Sequence, residues 1–278
     1  DMQLDTYSLF IPKLKDVILK GTLASEIIKE IDRWKDAKMA ERAHRAITML
    51  KDFSGDMKAD SKEAALIGAF FHHVTKNIFF DELGPADSKA WKSFLVINNE
   101  SYSATCDHLL SRGEESPFWE DINTPQKETK AQIIARSLAD AVAFLESTLS
   151  NDPDKWRWGA LHTHTWETNT SQMASHFGFT ERTALNSLWS YFNRGPYPAS
   201  GDIFTLNVSA YMMGKDFYSW LIPSMRMIVD FSLEEPMLAV NSSGQSDNPS
   251  SPHYDDGIKA WRDGKYIPFP FKDAAVKD

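Results

Sequence analysis

The first 150 residues carry apolar residues at the three- and four-residue spacing that is typical of amphipathic helices. Segment 61–83 is apolar nearly all round, so we expect it to be buried on most sides by more than one layer. Segment 127–149 has one apolar face and should be solvated on the other. Shorter helices are predicted at 5–20, 25–34 and 39–53.

The pattern changes after Pro153, where aromatic and β-branched residues replace helix-forming ones. Residues 203–211 alternate, with Phe204, Leu206 and Val208 on one face, which predicts a strand. Two further strands are predicted at 225–231 and 237–240, and a short helix at 255–264. Residues 113–125 and 242–254 are rich in Gly, Pro and small polar residues, which indicates loops.

The chain therefore has an α+β pattern, with a mainly helical part at 1–150 and a strand-rich part at 151–278. Both parts are expected to belong to one larger body. The strand at 225–231 places Arg226 and Asp230 on one face, but about 13 Å apart. Each of these side chains must therefore find its partner elsewhere.

Composition and charge narrow the class of protein. With 278 residues, 42% of them hydrophobic, the chain has enough apolar material for a substantial core. The net charge of -9 and the lack of a basic run argue against nucleic-acid binding. No stretch reaches the roughly 18 to 20 apolar residues of a membrane span, so no membrane partner is expected.

Cys106 is the single cysteine, which excludes an intrachain disulfide and every metal site that needs several cysteines. It lies near His108, and a neighbouring imidazolium can lower a thiol pKa and make the thiolate reactive. Neighbouring helix positions point in different directions, however, which favours an ordinary buried cysteine.

A metal site is the first chemical candidate, because His162 and His164 alternate along a predicted strand and would face the same way. Further ligands could come from His176, His253, Asp230 or Asp255. The competing interpretation is that these ring nitrogens bind backbone carbonyls or carboxylates in an aromatic-rich core. We favour the second interpretation.

Other catalytic patterns are weak. His72 and His73 are consecutive on the predicted buried helix, so they cannot both face one site, and at least one should be structural. A Ser-His-Asp triad is compatible with the composition, but no Gly-x-Ser-x-Gly elbow is present. The chain also has no Walker motif, no Gly-x-Gly-x-x-Gly run and no His-Glu-x-x-His.

The most specific signal is a series of short motifs in a fixed order. It starts with Trp156-Arg157-Trp158-Gly159-Ala160-Leu161-His162 and continues with Phe192-Asn193-Arg194-Gly195-Pro196 and Thr205-Leu206-Asn207-Val208. It goes on with Pro223-Ser224-Met225-Arg226-Met227-Ile228-Val229-Asp230 and with Gly244-Gln245-Ser246-Asp247-Asn248-Pro249-Ser250-Ser251-Pro252-His253-Tyr254-Asp255-Asp256. It ends with Trp261-Arg262-Asp263-Gly264-Lys265-Tyr266.

This order resembles the end of the β chain in the penicillin acylase family of N-terminal-nucleophile hydrolases. The opening Gln3-Leu4-Asp5-Thr6-Tyr7-Ser8 is similar to the start of the helical part of that chain, so the resemblance covers nearly the whole sequence. Asp247 stands where the family usually has Gly, and Ser175-His176-Phe177 departs from the usual His-Pro. These departures blur the subgroup within the family.

The resemblance implies an amidohydrolase that is made as one precursor, cuts itself into α and β chains, and is periplasmic or secreted. It implies strands that join a four-layer α-β-β-α sandwich completed by other segments. The expected partners are the α chain and the nucleophile-bearing part of the β chain, with a small acylated amide as substrate. Calcium is a cofactor of some complete enzymes of the family, with ligands outside the region that this chain resembles.

The nucleophile of the family is the first residue of the β chain, usually Ser, whose own α-amine takes up the hydroxyl proton. This chain starts at Asp1, without Met or a signal peptide, so we expect a processed or excised segment that is inactive alone. No catalytic residue is carried over. The matching motif positions are expected to be buried scaffold: Trp158, His162, Asn207, Arg226, Asp230, Gln245, Ser246, His253 and Tyr254.

Three hypotheses follow from the sequence. The leading one is a segment of an acylase acting on penicillins, cephalosporin side chains or N-acyl-homoserine lactones. The second is a metal-dependent hydrolase that uses His162 and His164. The third is a non-catalytic module with an acylase-like fold.

Overall fold

The computed structural model describes the backbone of most of the chain and divides it into two compact units. The described residues are 6–8, 10–85, 87–113, 115–168 and 185–270, with the backbone alone at 98–107, 112 and 185–188. We call residues 6–163 and 198–220 the helical unit, and residues 164–197 and 221–270 the strand unit. The division predicted at residue 150 stays a prediction.

The helical unit contains seven described helices. They are α1 Phe10–Leu19, α2 Gly21–Ile31, α3 Ala37–Lys51, α4 Lys62–Leu83, α5 Lys89–Arg112, α6 Lys130–Thr148 and α7 Trp158–Leu161. The five helices predicted from the apolar spacing are confirmed, with ends that shift by a few residues. Helix α5 was not predicted, because it lacks a pronounced apolar stripe.

Side-chain caps explain where three of these helices begin. Asp36 accepts hydrogen bonds from the first turn of α3, and Ser61 accepts one from the backbone N–H of Ala64 in α4. At the start of α6, the Thr129 hydroxyl accepts from the backbone of Gln132, whose side chain accepts from the backbone of Thr129. Each cap binds backbone groups that a helix end leaves unpaired.

Helix α4 is the centre of the helical core, as its apolar pattern predicted. Its buried side chains point in all directions, and it packs against α6, α3, α5 and α7. The predicted solvated face of α6 is wrong: residues 130–146 are buried or half-buried, because α2, α3 and α4 pack around the helix. The predicted loop at 113–125 is also confirmed, with Trp119 buried and its Nε1–H donating to the Gly113 carbonyl at 2.5 Å.

The described residues of the strand unit form two small sheets and two helices. Strands β1 Thr163–Trp166 and β2 Arg194–Pro198 form one sheet, and β3 Met225–Val229, β4 Met237–Asn241 and β5 Ile267–Phe269 form the other in the order β3-β4-β5. Helix α8 spans Leu185–Phe192 and α9 spans Asp256–Arg262, which packs against β4. The predicted strands β3 and β4 and the predicted helix at 255–264 are confirmed.

The strand predicted at 203–211 is wrong. The backbone of this segment turns instead, because Thr205 Oγ1 donates to the Asp202 carbonyl while it accepts from the Asp202 N–H at 2.9 Å. The predicted apolar face is not buried as a unit: Leu206 is exposed, whereas Asn207 and Ser209 of the other face are buried. Polar side chains that bind their own backbone compete with strand pairing.

The structure shows mixed helix and sheet, as the α+β prediction required. The four-layer sandwich stays a prediction. Among the described helices, none combines the length and the apolar character that crossing a bilayer requires.

Candidate functional site

His162 lies in a fully buried hydrogen-bond network of the helical unit. Its Nδ1 is 2.8 Å from the Phe217 carbonyl oxygen, and its Nε2 is 2.8 Å from Ser209 Oγ. Ser209 Oγ is in turn 2.7 Å from Ser219 Oγ. Because a carbonyl only accepts, Nδ1 carries a proton, and in the neutral ring Nε2 accepts from the Ser209 hydroxyl.

This network removes His162 from the metal hypothesis. Both ring nitrogens are already hydrogen-bonded, and the ring is stacked on Trp158 with centroids 4.6 Å apart. His162 and His164 were predicted to lie on the same strand. Strand β1 begins at Thr163, however, so His162 lies outside it. The Ser209–His162 contact has the chemistry of a nucleophile and its base, but both side chains are closed to solvent and no substrate can reach them.

Trp158 and Asn207 belong to the same buried region. The Trp158 Nε1–H donates to the Gly201 carbonyl at 2.9 Å, and Thr205 Oγ1 lies 3.0 Å from the Asn207 carbonyl oxygen. A Cβ at Gly201 would lie 2.1 Å from the Asn207 carbonyl oxygen, a distance that no side chain tolerates. Trp158, His162 and Asn207 thus hold the 201–219 segment against the helical core.

The other two buried histidines of the helical unit have no catalytic arrangement. Burial lowers the pKa of His72 to about 3, with smaller contributions from His73 and Lys76. Burial also lowers the pKa of His73. Within the described part of the chain, Nδ1 of His72 and Nε2 of His73 are buried without a hydrogen-bond partner, and both rings pack among aromatic neighbours.

Arg226 is the buried cation of the strand unit. Its guanidinium carbon lies 3.6 Å from the centroid of the Trp261 ring, and its NH1 donates to the Trp261 carbonyl at 2.5 Å. Burial lowers the pKa of the guanidinium. Arg226 therefore joins strand β3 to helix α9.

Asp230 fixes the turn between β3 and β4. Its Oδ1 accepts from the Ser232 hydroxyl at 2.6 Å and from the Ser232 backbone N–H at 2.9 Å. These two hydrogen bonds lower the pKa of the Asp230 carboxyl. Arg226 and Asp230 thus have separate partners, as their predicted spacing required.

The motif loop at 242–254 folds back on itself. The Gly244 N–H donates to the Tyr254 carbonyl at 3.1 Å, and the Ser246 N–H donates to the His253 carbonyl at 3.0 Å. A Cβ at Gly244 would lie 2.0 Å from the His253 carbonyl oxygen, which explains the glycine. Gln245, His253 and Asp230 are exposed, so the expectation that the motif residues are buried is wrong for these three, and Ser246 and Tyr254 are only half-buried.

Tyr254 anchors this loop to the end of α8. Its hydroxyl donates to the Phe192 carbonyl at 2.6 Å, and the Arg194 guanidinium lies 4.8 Å from its ring centroid. Arg194 Nε also donates to an Asp255 carboxylate oxygen. At the loop end, His253 Nδ1 lies 2.9 Å from an Asp256 carboxylate oxygen at the solvent-exposed start of α9.

A cavity of about 740 Å³ lies within the strand unit beside this loop. Aromatic side chains form much of its wall, and serine hydroxyls, Glu167 and Asp247 add polar groups. The buried Nε1–H groups of Trp166 and Trp189 have no hydrogen-bond partner among the described residues. The described lining contains no histidine, cysteine or lysine that could activate a serine.

The structure groups the predicted site residues into two sets, one in each unit. The side chain of Cys106 and all of His176 lie outside the described residues. Within the part of the chain that is described, no three His, Cys, Asp or Glu side chains are placed to hold a metal ion. Trp189 and Arg194 were not predicted as site residues. No sequence pattern marks Trp189, whereas Arg194 lies within one of the quoted motifs.

Comparison with known proteins identifies relatives across this whole region. Residues 1–278 match the family described as penicillin amidase. The acyl-homoserine lactone acylase QuiP of Pseudomonas aeruginosa is 51% identical over 271 residues, 98% of this chain. Enzymes of the same name from Pseudomonas syringae pv. syringae and Pseudomonas fluorescens are 42% and 41% identical, over 97% and 98% of this chain.

The match covers only part of these relatives. It spans 32% of the Pseudomonas aeruginosa protein and 31% of each of the other two. The chain thus corresponds to about a third of the length of the curated relatives. Because the family match extends over every residue, the chain belongs to the penicillin amidase family.

Proposed function

We propose that this chain is part of an acylase that hydrolyses the amide bond of N-acyl-homoserine lactones. Water adds across that bond, so the products are a carboxylic acid and homoserine lactone with a free amine. The observation that carries this proposal is the 51% identity over 271 residues with a protein named acyl-homoserine lactone acylase. The family membership supports the amide bond as the point of cleavage.

The nucleophile of the proposed enzyme lies outside this chain. Ser209 and Ser219, which contact the His162 ring directly or through one hydroxyl, are closed to substrate. The cavity of the strand unit has serine hydroxyls but no described imidazole or amine to activate them. We therefore propose that an α chain and a nucleophile-bearing segment complete the enzyme, and that autoproteolysis of one precursor produces these parts.

We also propose a periplasmic or secreted location for the complete enzyme, by analogy with the family that the motifs resemble. Fractionation of cells that make the complete precursor tests this location. Recovery of the mature enzyme in the cytoplasm alone would contradict it.

The activity is tested with residues 1–278 alone and with the same chain co-expressed with the complementary part of the Pseudomonas aeruginosa relative. Both samples are incubated with N-acyl-homoserine lactones and with phenylacetyl amides, and released primary amine is measured. Amide hydrolysis releases an amine, whereas opening of the lactone ring releases none. We expect turnover by the assembled protein and none by the chain alone.

Ser209→Ala provides the control for a nucleophile inside the chain. If Ser209 is structural, the assembled Ser209→Ala variant keeps its kcat for every substrate. Turnover by the isolated chain that this variant abolishes would overturn the proposed arrangement. An assembled protein that cleaves no acyl amide would overturn the proposed activity itself.

A further inference from the structure

One face of the β3-β4-β5 sheet presents large apolar side chains to solvent. The strand register places Met227, Ala239 and Ile267 in one row across the sheet, and Val229, Met237 and Phe269 in the next. Residues that are directly opposite in antiparallel strands point to the same side. We call this surface the apolar sheet face, and define it by Met225, Met227, Val229, Ile267 and Phe269.

The exposure of the apolar sheet face is large. Met227 is 52% exposed, Ile267 is 64% exposed and Phe269 is 56% exposed. The opposite face of the same sheet is covered, because Arg226 and Val240 are buried there and α9 packs against β4. The side of the sheet at Arg226 and Val240 is therefore covered, whereas the other face exposes apolar side chains around the buried Ala239.

This surface lacks the features that normally keep a sheet soluble. Solvent-facing sides of antiparallel sheets usually alternate apolar inward and polar outward positions. Of the residues in β3, β4 and β5, only Arg226 is charged, and it belongs to the covered face. Contiguous apolar surface without charged residues typically marks an interface.

The turn held by Asp230 carries two further exposed apolar side chains, next to the charged Glu234 and Glu235. Phe231 directly follows β3 and is 89% exposed, and Leu233 is 49% exposed. The Asp230 backbone N–H donates to the Pro236 carbonyl at 2.8 Å, and its carboxylate binds Ser232. These contacts hold the turn from both ends. A family-motif residue thus fixes the segment that carries the exposed Phe231 ring.

From these observations we infer that the apolar sheet face is the surface on which the remaining acylase polypeptide docks through an apolar surface of its own. This inference rests on the proposed function. The chain corresponds to 32% of the length of the Pseudomonas aeruginosa relative, which leaves most of that protein to supply the partner. Permanent interfaces between parts of one protein are as apolar as a divided core, which matches this face.

Oxidation of methionine by hydrogen peroxide tests the inference directly. The chain is oxidised alone and in the co-expressed assembly with the complementary part of the Pseudomonas aeruginosa relative, and sulfoxide is measured by peptide mass spectrometry. Met225 and Met227 are half exposed, whereas Met57 is fully buried and serves as the internal control. We expect assembly to slow oxidation of Met227 by about tenfold, with Met57 unreactive in both samples.

A charge at the centre of the face gives a second measurement. Met227→Glu should reduce capture of the complementary polypeptide by about tenfold or more, because the carboxylate would be desolvated in the interface. Ile122→Glu is the matched control, since Ile122 is an exposed apolar residue of the helical unit. Unchanged circular dichroism of both isolated variants shows that they fold.

The outcomes separate this inference from the proposed function. An assembly that cleaves acyl amides while Met227 oxidises as fast as in the free chain would overturn the inference alone. An inactive assembly in which Met227 is protected would support the docking face and overturn the activity. Protection that appears in the isolated chain as its concentration rises would show that a second copy is the occupant, contrary to our inference.

Discussion

The Arg226 guanidinium carbon lies 3.6 Å from the centroid of the Trp261 ring, and the same guanidinium donates to the Trp261 carbonyl at 2.5 Å. The two residues come from β3 and α9, and both are buried. A planar cation suits this position, because it can stack on an aromatic ring and donate in its own plane at the same time. A lysine ammonium cannot reproduce both contacts.

Arg226→Lys should therefore destabilise the strand unit although the charge is kept. We expect the free energy of unfolding to fall by about 2 kcal/mol, measured by denaturant unfolding. Arg262→Lys is the matched control, because Arg262 lies 4.3 Å from the centroid of the Tyr197 ring but is exposed. The free energy of unfolding of Arg262→Lys should fall by less than about 1 kcal/mol. Equal losses in the two variants would contradict the role assigned to Arg226.

Gly68 lies inside α4, where alanine normally stabilises a helix by about 1 kcal/mol. Here a Cβ would lie 2.4 Å from Cζ3 of the fully buried Trp158 ring. The ring cannot move freely, because its Nε1–H is bound to the Gly201 carbonyl. We expect Gly68→Ala to lower the free energy of unfolding by about 2 kcal/mol, since overpacking costs more than the helix propensity gains.

Trp158→Phe tests whether the Trp158 ring causes that loss. Alone, this substitution removes the Nε1–H hydrogen bond and buried ring atoms, so it destabilises the protein. In the Gly68→Ala background the smaller ring makes room for the new methyl group, so the second substitution should cost less than it does alone. Strict additivity of the two losses would show that Gly68 is constrained by something other than Trp158.

Helix α4 shows what the sequence predicted well. Its position and its burial on most sides follow from the local apolar pattern. The segment at 203–211 shows why the same reasoning failed elsewhere. Its alternation suggested a strand, but the Thr205 side chain binds the Asp202 backbone, and among the described residues the segment pairs through isolated bridges, such as the one from Thr205 to Ser8, rather than through a strand ladder.

The candidate site was predictable only in part. The motif order identified the loop at 242–254 and the structural positions Trp158, His162 and Arg226. Their partners were not predictable, because Phe217, Ser209 and Trp261 lie 55, 47 and 35 residues away along the chain. Such pairings depend on tertiary packing, which local spacing does not determine.

His72 should make the helical unit sensitive to acid. The unfolded state takes up a proton on this ring below its ordinary pKa of 6.5, whereas the folded state does so only near pH 3. Stability is therefore lost as the pH falls from 6.5 towards 3. Relative to His72→Phe, the wild type should lose about 2.5 kcal/mol between pH 6 and pH 4.

Asp202 should have the opposite pH dependence. Burial raises the pKa of its carboxyl from 3.8 to about 7, although its Oδ1 accepts from the Phe204 N–H at 2.7 Å. The folded state therefore keeps a proton that the unfolded state releases above pH 3.8, and stability is lost as the pH rises from 4 to 7. Asp202→Asn keeps the acceptor and removes the titration, so it should exceed the wild type by roughly 3 kcal/mol at pH 7 and match it near pH 4. A variant that is less stable than the wild type at both pH values would contradict the raised pKa.

Because the two groups act in opposite directions, their effects cancel in the wild type between about pH 4 and pH 6.5. Neither residue contributes to the pKa shift of the other, so the two titrations should be independent. Over that range, relative to the wild type, His72→Phe should become less stable as the pH rises, and Asp202→Asn should become more stable. The double variant should therefore have nearly the same pH dependence as the wild type while differing from both single variants. Urea unfolding of the four proteins at pH 4, 5, 6 and 7 measures the pH dependence of their unfolding free energies. A double variant with the same pH dependence as either single variant would show that only one of the two groups titrates on unfolding.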